Sequence, residues 1–185
     1  ILQFSSVGED TPDLKYKGEP TRLVIGDNNV IREGVTIHRG TVQDRSETTI
    51  GNDNLVMSYV HIAHDCVVGN HTILVNNASL AGHVQVDDWA ILSGYSLINQ
   101  FSRIGAHSFV GMGSWIKFDV PAYVTVQGTP AEARGINAEG LRRRGFTPEQ
   151  VAAVRQAYKV VYRRGLNLDE AIADLELRAA EHPEL

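Results

Sequence analysis

Aliphatic residues recur at every sixth position over the central part of the chain. They are Ile50, Val56, Ile62, Val68, Leu74, Leu80, Val86, Leu92, Ile98, Ile104, Val110 and Ile116. From Val56 onward, a small or compact residue lies four positions after each of them. Neither an α-helix nor a two-faced strand has a period of six. The pattern therefore predicts a solenoid of short parallel strands, in which each repeat buries its apolar side against its neighbours and three hexads form one triangular coil.

Two polar segments interrupt this pattern, and a different pattern follows it. Residues 9–22 and 42–48 break the six-residue register, so we expect loops that protrude near a binding face. Because Ile1 and Val7 already keep the register, we expect that earlier coils are missing. We assign residues 1–130 to the β-solenoid and residues 131–185 to a linker and a small, truncated helical domain.

The C-terminal part carries helical signals. Thr147, Pro148 and Gln150 occupy the N-cap, first-turn and capping-box positions of a helix. An apolar stripe at helical spacing follows, formed by Val151, Val154, Tyr158, Val161 and Tyr162. Asn167 is the expected N-cap of a second helix. These signals predict a core of packed helices rather than a cofactor site.

Composition narrows the class of protein. With 17 Lys and Arg against 22 Asp and Glu, the net charge is −5, which argues against a general nucleic-acid binder. No apolar run has the length that a membrane span needs, and no signal-peptide pattern opens the chain, so we expect a cytoplasmic protein. Cys66 lies at a small inward position, which predicts a buried and unreactive thiol.

Several histidines fall on neighbouring coils, namely His38, His61, His64 and His83. His64 lies two positions after an inward residue, and the equivalent position one coil later is Gly82. Since strands stack about 4.8 Å apart, a bare backbone N–H would lie beside the imidazole. A neutral imidazole can accept a proton from a hydroxyl, and such an N–H can stabilise an oxyanion. Asp65 would fix the imidazole tautomer, although adjacent strand residues point to opposite faces.

Four local motifs lie in and around this cluster and in the C-terminal part: Asp13-Leu14-Lys15-Tyr16, His61-Ile62-Ala63-His64-Asp65-Cys66, Leu80-Ala81-Gly82-His83 and Leu141-Arg142-Arg143-Arg144-Gly145-Phe146. Together they resemble the motifs of the UDP-N-acetylglucosamine O-acyltransferase family, a group of hexapeptide-repeat enzymes that begins lipid A biosynthesis. The resemblance implies a left-handed parallel β-helix, although the general rule for parallel crossovers predicts the opposite hand. It further implies a homotrimer. We expect neither a cofactor nor a metal.

The resemblance also implies a reaction, the transfer of a 3-hydroxyacyl chain from acyl carrier protein to the 3-hydroxyl of UDP-N-acetylglucosamine. His64 would be the general base, oriented by Asp65, and the N–H of Gly82 would bind the oxyanion. The implied substrate-binding residues are Asp13, Lys15, His38, His61, His83, Gln100, Asn137, Glu139 and Arg144. One departure is Asn99, which stands where the resemblance leads us to expect a histidine, so we expect weaker substrate binding.

Met112 matches the position that measures the acyl chain in this family. His64 and Met112 are about 2.7 coils apart, or roughly 13 Å along the axis. An extended chain of about ten carbons has a similar length at roughly 1.25 Å per carbon, which predicts a 3-hydroxydecanoyl donor. The alternative is that Met112 fills a gap in the core. Arg142 and Arg143 form a basic surface that suits docking of the acidic acyl carrier protein.

Three other interpretations remain open from the sequence. His61, His64 and His83 resemble the histidine ligands by which γ-class carbonic anhydrases of the same fold bind zinc. A structural or sugar-binding solenoid would tolerate the loss of His64. An acyltransferase of this fold that acts on the glucosamine amine later in the same pathway is the nearest competing enzyme.

Overall fold

A computed structural model describes residues 1–185, with eighteen β-strands followed by three α-helices. The strands β1 to β18 are Ser6–Glu9, Arg22–Ile25, Val30–Ile31, Thr36–His38, Glu47–Ile50, Leu55–Val56, His61–Ile62, Val67–Val68, Ile73–Leu74, Ser79–Leu80, Gln85–Val86, Ile91–Leu92, Leu97–Ile98, Arg103–Ile104, Phe109–Val110, Trp115–Ile116, Val124–Gly128 and Ala131–Ile136. The helices α1 to α3 are Ala138–Arg143, Pro148–Arg163 and Leu168–Ala179.

Successive strands belong in turn to three sheets. Sheet 1 has the order β1-β4-β7-β10-β13-β16, sheet 2 has β2-β5-β8-β11-β14, and sheet 3 has β3-β6-β9-β12-β15-β17-β18. Pairing is parallel up to β17, and Ser79 pairs both with His61 below it and with Leu97 above it. The chain thus winds as the left-handed parallel β-helix that was predicted, followed by helices. We call the corner that joins sheet 1 to sheet 2 corner 1–2, and the others corner 2–3 and corner 3–1.

The six-residue series forms the core of the solenoid. No member of the series from Ile50 to Ile116 is more than 3 % exposed. Burying each aliphatic side chain contributes roughly 1.5–3 kcal/mol, so the stacked hexads supply most of the driving force for coiling. Cys66 lies in the same core, which confirms its predicted burial, and burial raises the pKa of its thiol to about 12.

The corners contain residues in the left-handed backbone conformation. Asp65, His83 and Phe101 occupy successive coils of corner 1–2 with φ angles of 58°, 65° and 65°. This conformation costs most L-residues about 1–2 kcal/mol, and Asp, Asn and His adopt it more readily than others. Because the backbone turns there, side chains that are adjacent in sequence no longer point to opposite faces.

Both predicted loops protrude from the early coils, with bounds slightly different from those expected. Glu9 ends β1 and Arg22 begins β2, so the first loop is residues 10–21. Glu47 and Thr48 belong to β5 and pair with Arg22 and Leu23 of β2, so the second loop ends before residue 47. The polar composition of residues 47 and 48 suggested a loop, but strand pairing inside the solenoid accommodates both.

The segment after the solenoid differs from the predicted linker. Strands β17 and β18 form an antiparallel hairpin that extends sheet 3, and Gly128 and Pro130 mark its turn. Helix α1 follows, with Asn137 as its N-cap, and its one buried residue is Leu141. A helix with a single buried side chain produces no apolar periodicity, which explains why the sequence did not predict it.

The predicted caps of the two longer helices are confirmed. Thr147 and Gln150 form a capping box at α2, and Asn167 and Glu170 form one at α3. The buried face of α2 includes Val160, while the predicted stripe residues Val161 and Tyr162 are exposed. None of the three helices combines the length and apolar character needed to cross a membrane.

Candidate active site

His64 and Asp65 form a hydrogen-bonded pair at corner 1–2. Nδ1 of His64 is 2.9 Å from Oδ2 of Asp65, whose side chain is fully buried. Burial alone would raise the pKa of Asp65, but hydrogen bonds from Thr41 and His64 lower it below its usual value. The carboxylate is therefore ionised and can only accept, which places the ring proton on Nδ1 and leaves Nε2 of His64 as the basic nitrogen.

Thr41 and Thr48 fix the acid from below. The Thr41 N–H donates to both carboxylate oxygens of Asp65 at 3.0 Å, and the Thr41 hydroxyl donates to Oδ2 at 2.6 Å. The Asp65 N–H donates to the Thr48 hydroxyl at 2.8 Å. The sequence left the reach of Asp65 open, and the left-handed conformation of the corner is what lets it contact the adjacent His64.

Gly82 lies directly against the imidazole, one coil above. A Cβ atom at this position would be 2.7 Å from both Cε1 and Nε2 of His64, so only glycine fits there without displacing the ring. The Gly82 N–H has no hydrogen-bond partner within the chain. Neighbouring corner positions also leave their N–H groups unpaired, but at Gly82 the imidazole of His64 fills the place that a side chain would take, which brings Nε2 close to this backbone.

The other three histidines of the predicted cluster surround this pair. His83 packs edge-on to His64 with ring centroids 5.0 Å apart, and His38 packs edge-on to His61 at 5.5 Å. Nδ1 of His61 is 2.7 Å from the hydroxyl of Thr36. Burial, with a further contribution from neighbouring imidazoles, lowers the pKa of both His38 and His61. These rings therefore favour the neutral form, which avoids positive charge next to the proposed base.

The first loop brings Asp13 to the open side of His64. Oδ2 of Asp13 is 3.8 Å from Nε2 of His64, while Oδ1 accepts the N–H of Lys15 at 2.9 Å. The side chain of Lys15 is exposed on the same loop. The structure thus brings Asp13 together with His64, and it leaves a gap too long for a direct hydrogen bond.

Gln100 occupies corner 1–2 one coil above Gly82, as the repeat predicts, and it is exposed. The Phe101 N–H donates to the Gly82 carbonyl at 3.2 Å, which holds the two coils in register. Asn99 is also exposed and lines a depression of about 370 Å³ on sheet 1, together with His61 and Trp115. The column from His64 through Gly82 to Gln100 is therefore continuous.

Met112 lies elsewhere on the coil. It follows β15 at corner 3–1, three rungs above His64, and its side chain is 71 % exposed. The alternative that Met112 fills a core gap is therefore wrong. The axial separation between His64 and Met112 is only part of their distance, since Met112 is also displaced from His64 across the whole width of sheet 1.

Asn137, Glu139 and Arg144 surround α1. Asn137 accepts the N–H of Gly140 at 3.1 Å and donates to the His107 carbonyl at 2.9 Å. Glu139 forms ion pairs with the exposed Arg142 and Arg143, at 2.6 Å and 3.0 Å. All five predicted residues of this region, Asn137, Glu139, Arg142, Arg143 and Arg144, line one groove of about 760 Å³.

The outer wall of this groove is sheet 3 with corner 2–3. The guanidinium of Arg144 is 5.4 Å above the ring centre of Trp89. Burial, and secondly the charge of Arg144, lowers the pKa of His107 to about 4. Since His64 lies at corner 1–2, a single chain does not bring this groove and His64 to the same corner.

The zinc interpretation also has a structural counterpart, although not with the predicted set. Candidate ligand atoms of His64, Asp65 and His83 lie within 4.8 Å of one another, and His61 is not among them. Oδ2 of Asp65 already accepts from Thr41 and His64, and Nδ1 of His83 is 2.7 Å from Asp44. Both atoms are thus already hydrogen-bonded to protein groups. Binding zinc through them would require these hydrogen bonds to break.

Three residues that support the site were not predicted from the sequence: Thr41, Asp44 and Thr48. Thr41 lies three residues after His38, but nothing in the sequence indicated that it supports Asp65. Asp44 and Thr48 fall in the segment assigned to a loop. Their roles depend on contacts between coils, which the repeat alone does not specify.

Comparison with known proteins assigns the family. Residues 119–185 match the family model for domain 2 of UDP-N-acetylglucosamine O-acyltransferase, and residues 47–82 match the bacterial transferase hexapeptide model. Relatives named acyl-[acyl-carrier-protein]--UDP-N-acetylglucosamine O-acyltransferase from Ectopseudomonas mendocina and Pseudomonas aeruginosa are 72% and 73% identical over 100% of this chain and 72% of theirs. The structure of the Moraxella catarrhalis UDP-N-acetylglucosamine O-acyltransferase has a TM-score of 0.96 at 51% identity, covering 98% of this chain and 71% of that one. The chain therefore belongs to the UDP-N-acetylglucosamine O-acyltransferase family of hexapeptide-repeat acyltransferases.

Proposed function

We propose that this chain transfers a 3-hydroxyacyl group, 3-hydroxydecanoyl in length, from acyl carrier protein to the 3-hydroxyl of UDP-N-acetylglucosamine, the first step of lipid A biosynthesis. The names of relatives about 72% identical support the reaction. The observation that carries the mechanism is the environment of His64, whose Nδ1 faces a buried carboxylate and whose Nε2 faces a bare glycine.

The reaction needs one base and one oxyanion donor. Nε2 of His64 accepts the proton of the sugar 3-hydroxyl while that oxygen bonds to the thioester carbonyl carbon. The carbonyl oxygen becomes negative and accepts a hydrogen bond from the Gly82 N–H. The carbon–sulfur bond then breaks, the sulfur leaves with the proton returned by His64, and the products are the ester and the thiol of the carrier protein. Asp65 stabilises the imidazolium between the two proton transfers.

The substrate sugar belongs beside Asp13 and His64, where both side chains can be reached at once. Oδ2 of Asp13 and Nε2 of His64 are 3.8 Å apart, so two neighbouring hydroxyls of one sugar can donate to both groups. We assign the sugar and the acyl thioester to the surrounding surface, formed by His38, His61, His83, Lys15 and Gln100. Asn99 offers an amide where a histidine was expected, and we predict weaker binding with unchanged chemistry.

The nucleotide end requires a second subunit. Asn137, Glu139 and Arg144 lie in the groove beside sheet 3, while His64 lies at corner 1–2. One extended substrate contacts both surfaces only if they come from neighbouring chains, which supports the homotrimer implied by the resemblance. Mixing a His64→Ala chain with an Arg144→Ala chain should therefore restore one intact site in each mixed trimer, whereas sites built within single chains would stay inactive.

We assign docking of the carrier protein to Arg142 and Arg143, and selection of the acyl-chain length to Met112. Arg142 and Arg143 are exposed and share one acidic partner, Glu139, so they leave net positive charge for an acidic protein. Met112 projects from corner 3–1, where a side chain can limit the length of an acyl chain that starts at the corner 1–2 of another subunit. No cofactor or metal takes part in the proposed reaction.

The decisive experiment replaces His64 by alanine. Transfer from 3-hydroxydecanoyl carrier protein to UDP-N-acetylglucosamine should fall roughly 10²- to 10⁴-fold, the usual contribution of a general base. His182→Ala, a change to a histidine in the C-terminal segment, serves as the matched control and should leave the rate and the melting temperature unchanged. Undiminished transfer by His64→Ala would contradict His64 as the base, and absence of transfer in the parent protein as well would point to a structural or sugar-binding solenoid.

Two further assays separate the competing enzymes. Near-stoichiometric zinc in the purified protein would favour the metal-dependent interpretation over the general-base mechanism. Offering the deacetylated, 3-acylated sugar in place of UDP-N-acetylglucosamine tests acylation of an amine. Preference for the amine would contradict the proposed acceptor.

A further inference from the structure

The second loop, residues 42–46, reaches along corner 1–2 past His64. It leaves the corner one coil below His64, yet Oδ2 of its Asp44 is 2.7 Å from Nδ1 of His83, one coil above His64. The loop is folded back on its own base, because the N–H groups of Asp44 and Ser46 both donate to the Thr41 carbonyl, at 3.3 Å and 2.9 Å. These backbone hydrogen bonds fix the position of Asp44, so its carboxylate is presented to His83 from an ordered turn.

The two ends of this loop region support two different imidazoles. Thr41, at its base, donates to Asp65, which holds Nδ1 of His64. Asp44, near its tip, accepts from Nδ1 of His83, which packs edge-on to His64. One short segment thus sets the orientation of the proposed base and of the ring beside it.

The surroundings of His83 leave one ring nitrogen for a ligand. The His83 ring stacks on Phe101 with ring centroids 4.4 Å apart, and it packs edge-on to His64 with centroids 5.0 Å apart. The acids near it are Asp44 and Asp65. The side chain of His83 is 14 % exposed, and that of Asp44 is 43 % exposed. Since a carboxylate only accepts, Asp44 keeps the proton on Nδ1, so Nε2 of a neutral His83 is an acceptor.

We propose that Asp44 is a positioning residue that locks His83 in the Nδ1-protonated tautomer and so presents Nε2 to a hydroxyl of the sugar nucleotide. The inference rests on the proposed function, which places the substrate beside His64 and His83. Asp44 does not touch the reacting atoms, and it lies in a loop outside the hexad repeat, so the repeat does not predict its role.

Asp44→Asn tests this role in steady-state kinetics. The amide can donate as well as accept, so it no longer dictates the tautomer of His83. We expect KM for UDP-N-acetylglucosamine to rise about three- to fivefold, the scale of one hydrogen bond, with kcat within about twofold because His64 and Asp65 are untouched. Asp44→Glu should restore KM. The matched control is Asp174→Asn, which alters an acid paired with Arg164 and Arg178 in the helical domain, away from both proposed binding surfaces, and should leave KM and kcat unchanged.

A spectroscopic measurement makes the test independent of turnover. Ring nitrogen-15 shifts of histidine-labelled protein should report a protonated Nδ1 at His83 in the parent protein and in Asp44→Glu, and mixed tautomers in Asp44→Asn. An unchanged ring signature, or an altered signature with unchanged KM, would overturn the inference. Failure of the parent protein to acylate UDP-N-acetylglucosamine would instead count against the proposed function, because the tautomer is measured without substrate.

Discussion

Replacing Gly82 by alanine puts a methyl group where the structure has room only for the imidazole of His64. The added Cβ would lie 2.7 Å from Cε1 and Nε2 of His64 and 3.3 Å from Nδ1. Carbon atoms in ordinary contact are about 3.5–4.0 Å apart, so the ring must move by roughly 1 Å. Gly82 itself is not in the left-handed region, so alanine adds no backbone strain and the effect comes from this contact alone.

The ring cannot make this movement without losing its support. Nδ1 of His64 is bonded to Asp65, which Thr41 holds through three further contacts. A misplacement of about 1 Å near the reacting atoms costs roughly 10²-fold in rate. We expect kcat/KM of Gly82→Ala to fall by at least about 10²-fold.

The assay pairs transfer kinetics with a double-mutant cycle on stability. Release of the carrier-protein thiol gives the rate, and denaturant unfolding gives the free energy of unfolding. Gly82→Ala should cost about 1–3 kcal/mol, the range for overpacking, but close to nothing when His64 is already alanine. Equal costs in the two backgrounds, or a rate loss below about tenfold, would refute the argument from contact.

Three further changes probe other parts of the site. Thr41→Val should cost about 1.5–3 kcal/mol in denaturant unfolding at pH 7, because the buried Asp65 loses its hydroxyl donor; an unchanged stability would contradict this support. Met112→Gly should shift the preferred donor to a longer acyl chain in competition assays with carrier proteins of mixed chain length, and an unshifted preference would remove Met112 as the ruler. His107 has a pKa of about 4 against about 6.5 when unfolded, so the unfolded chain binds its proton first and stability falls as pH drops from about 6.5 to 4. His107→Gln should flatten this part of the pH–stability curve, and parallel curves for the two proteins would argue against a buried neutral imidazole.

The repeat made much of the fold predictable. Each hexad position required an apolar residue facing one continuous core, so the period could be read without knowing any contact. The same arithmetic placed His64, Gly82 and Gln100 in one column, since coils of constant length stack in register. Capping boxes at Thr147 and Asn167 were predictable for a related reason, because they depend on residues three positions apart.

Contacts that depend on irregular backbone were not predictable in this way. The approach of Asp65 to His64 requires a left-handed corner, and the reach of Asp44 to His83 depends on the path of a loop. The axial spacing gave the height of Met112 above His64 but not its lateral displacement across sheet 1. Helix α1 buries one side chain and β18 buries none completely, so neither produces an apolar period of its own.

The left-handed corners also affect how readily such a site can change its chemistry. Asp65 and His83 hold positions where the backbone already favours Asp, Asn and His, and every coil offers an equivalent position about 4.8 Å further along the same corner. A new acid or base can therefore be acquired at a corner by one substitution, without disturbing a strand or the apolar core. The solenoid separates the residues that keep it folded from those that can be exchanged, which makes each corner a row of interchangeable functional positions.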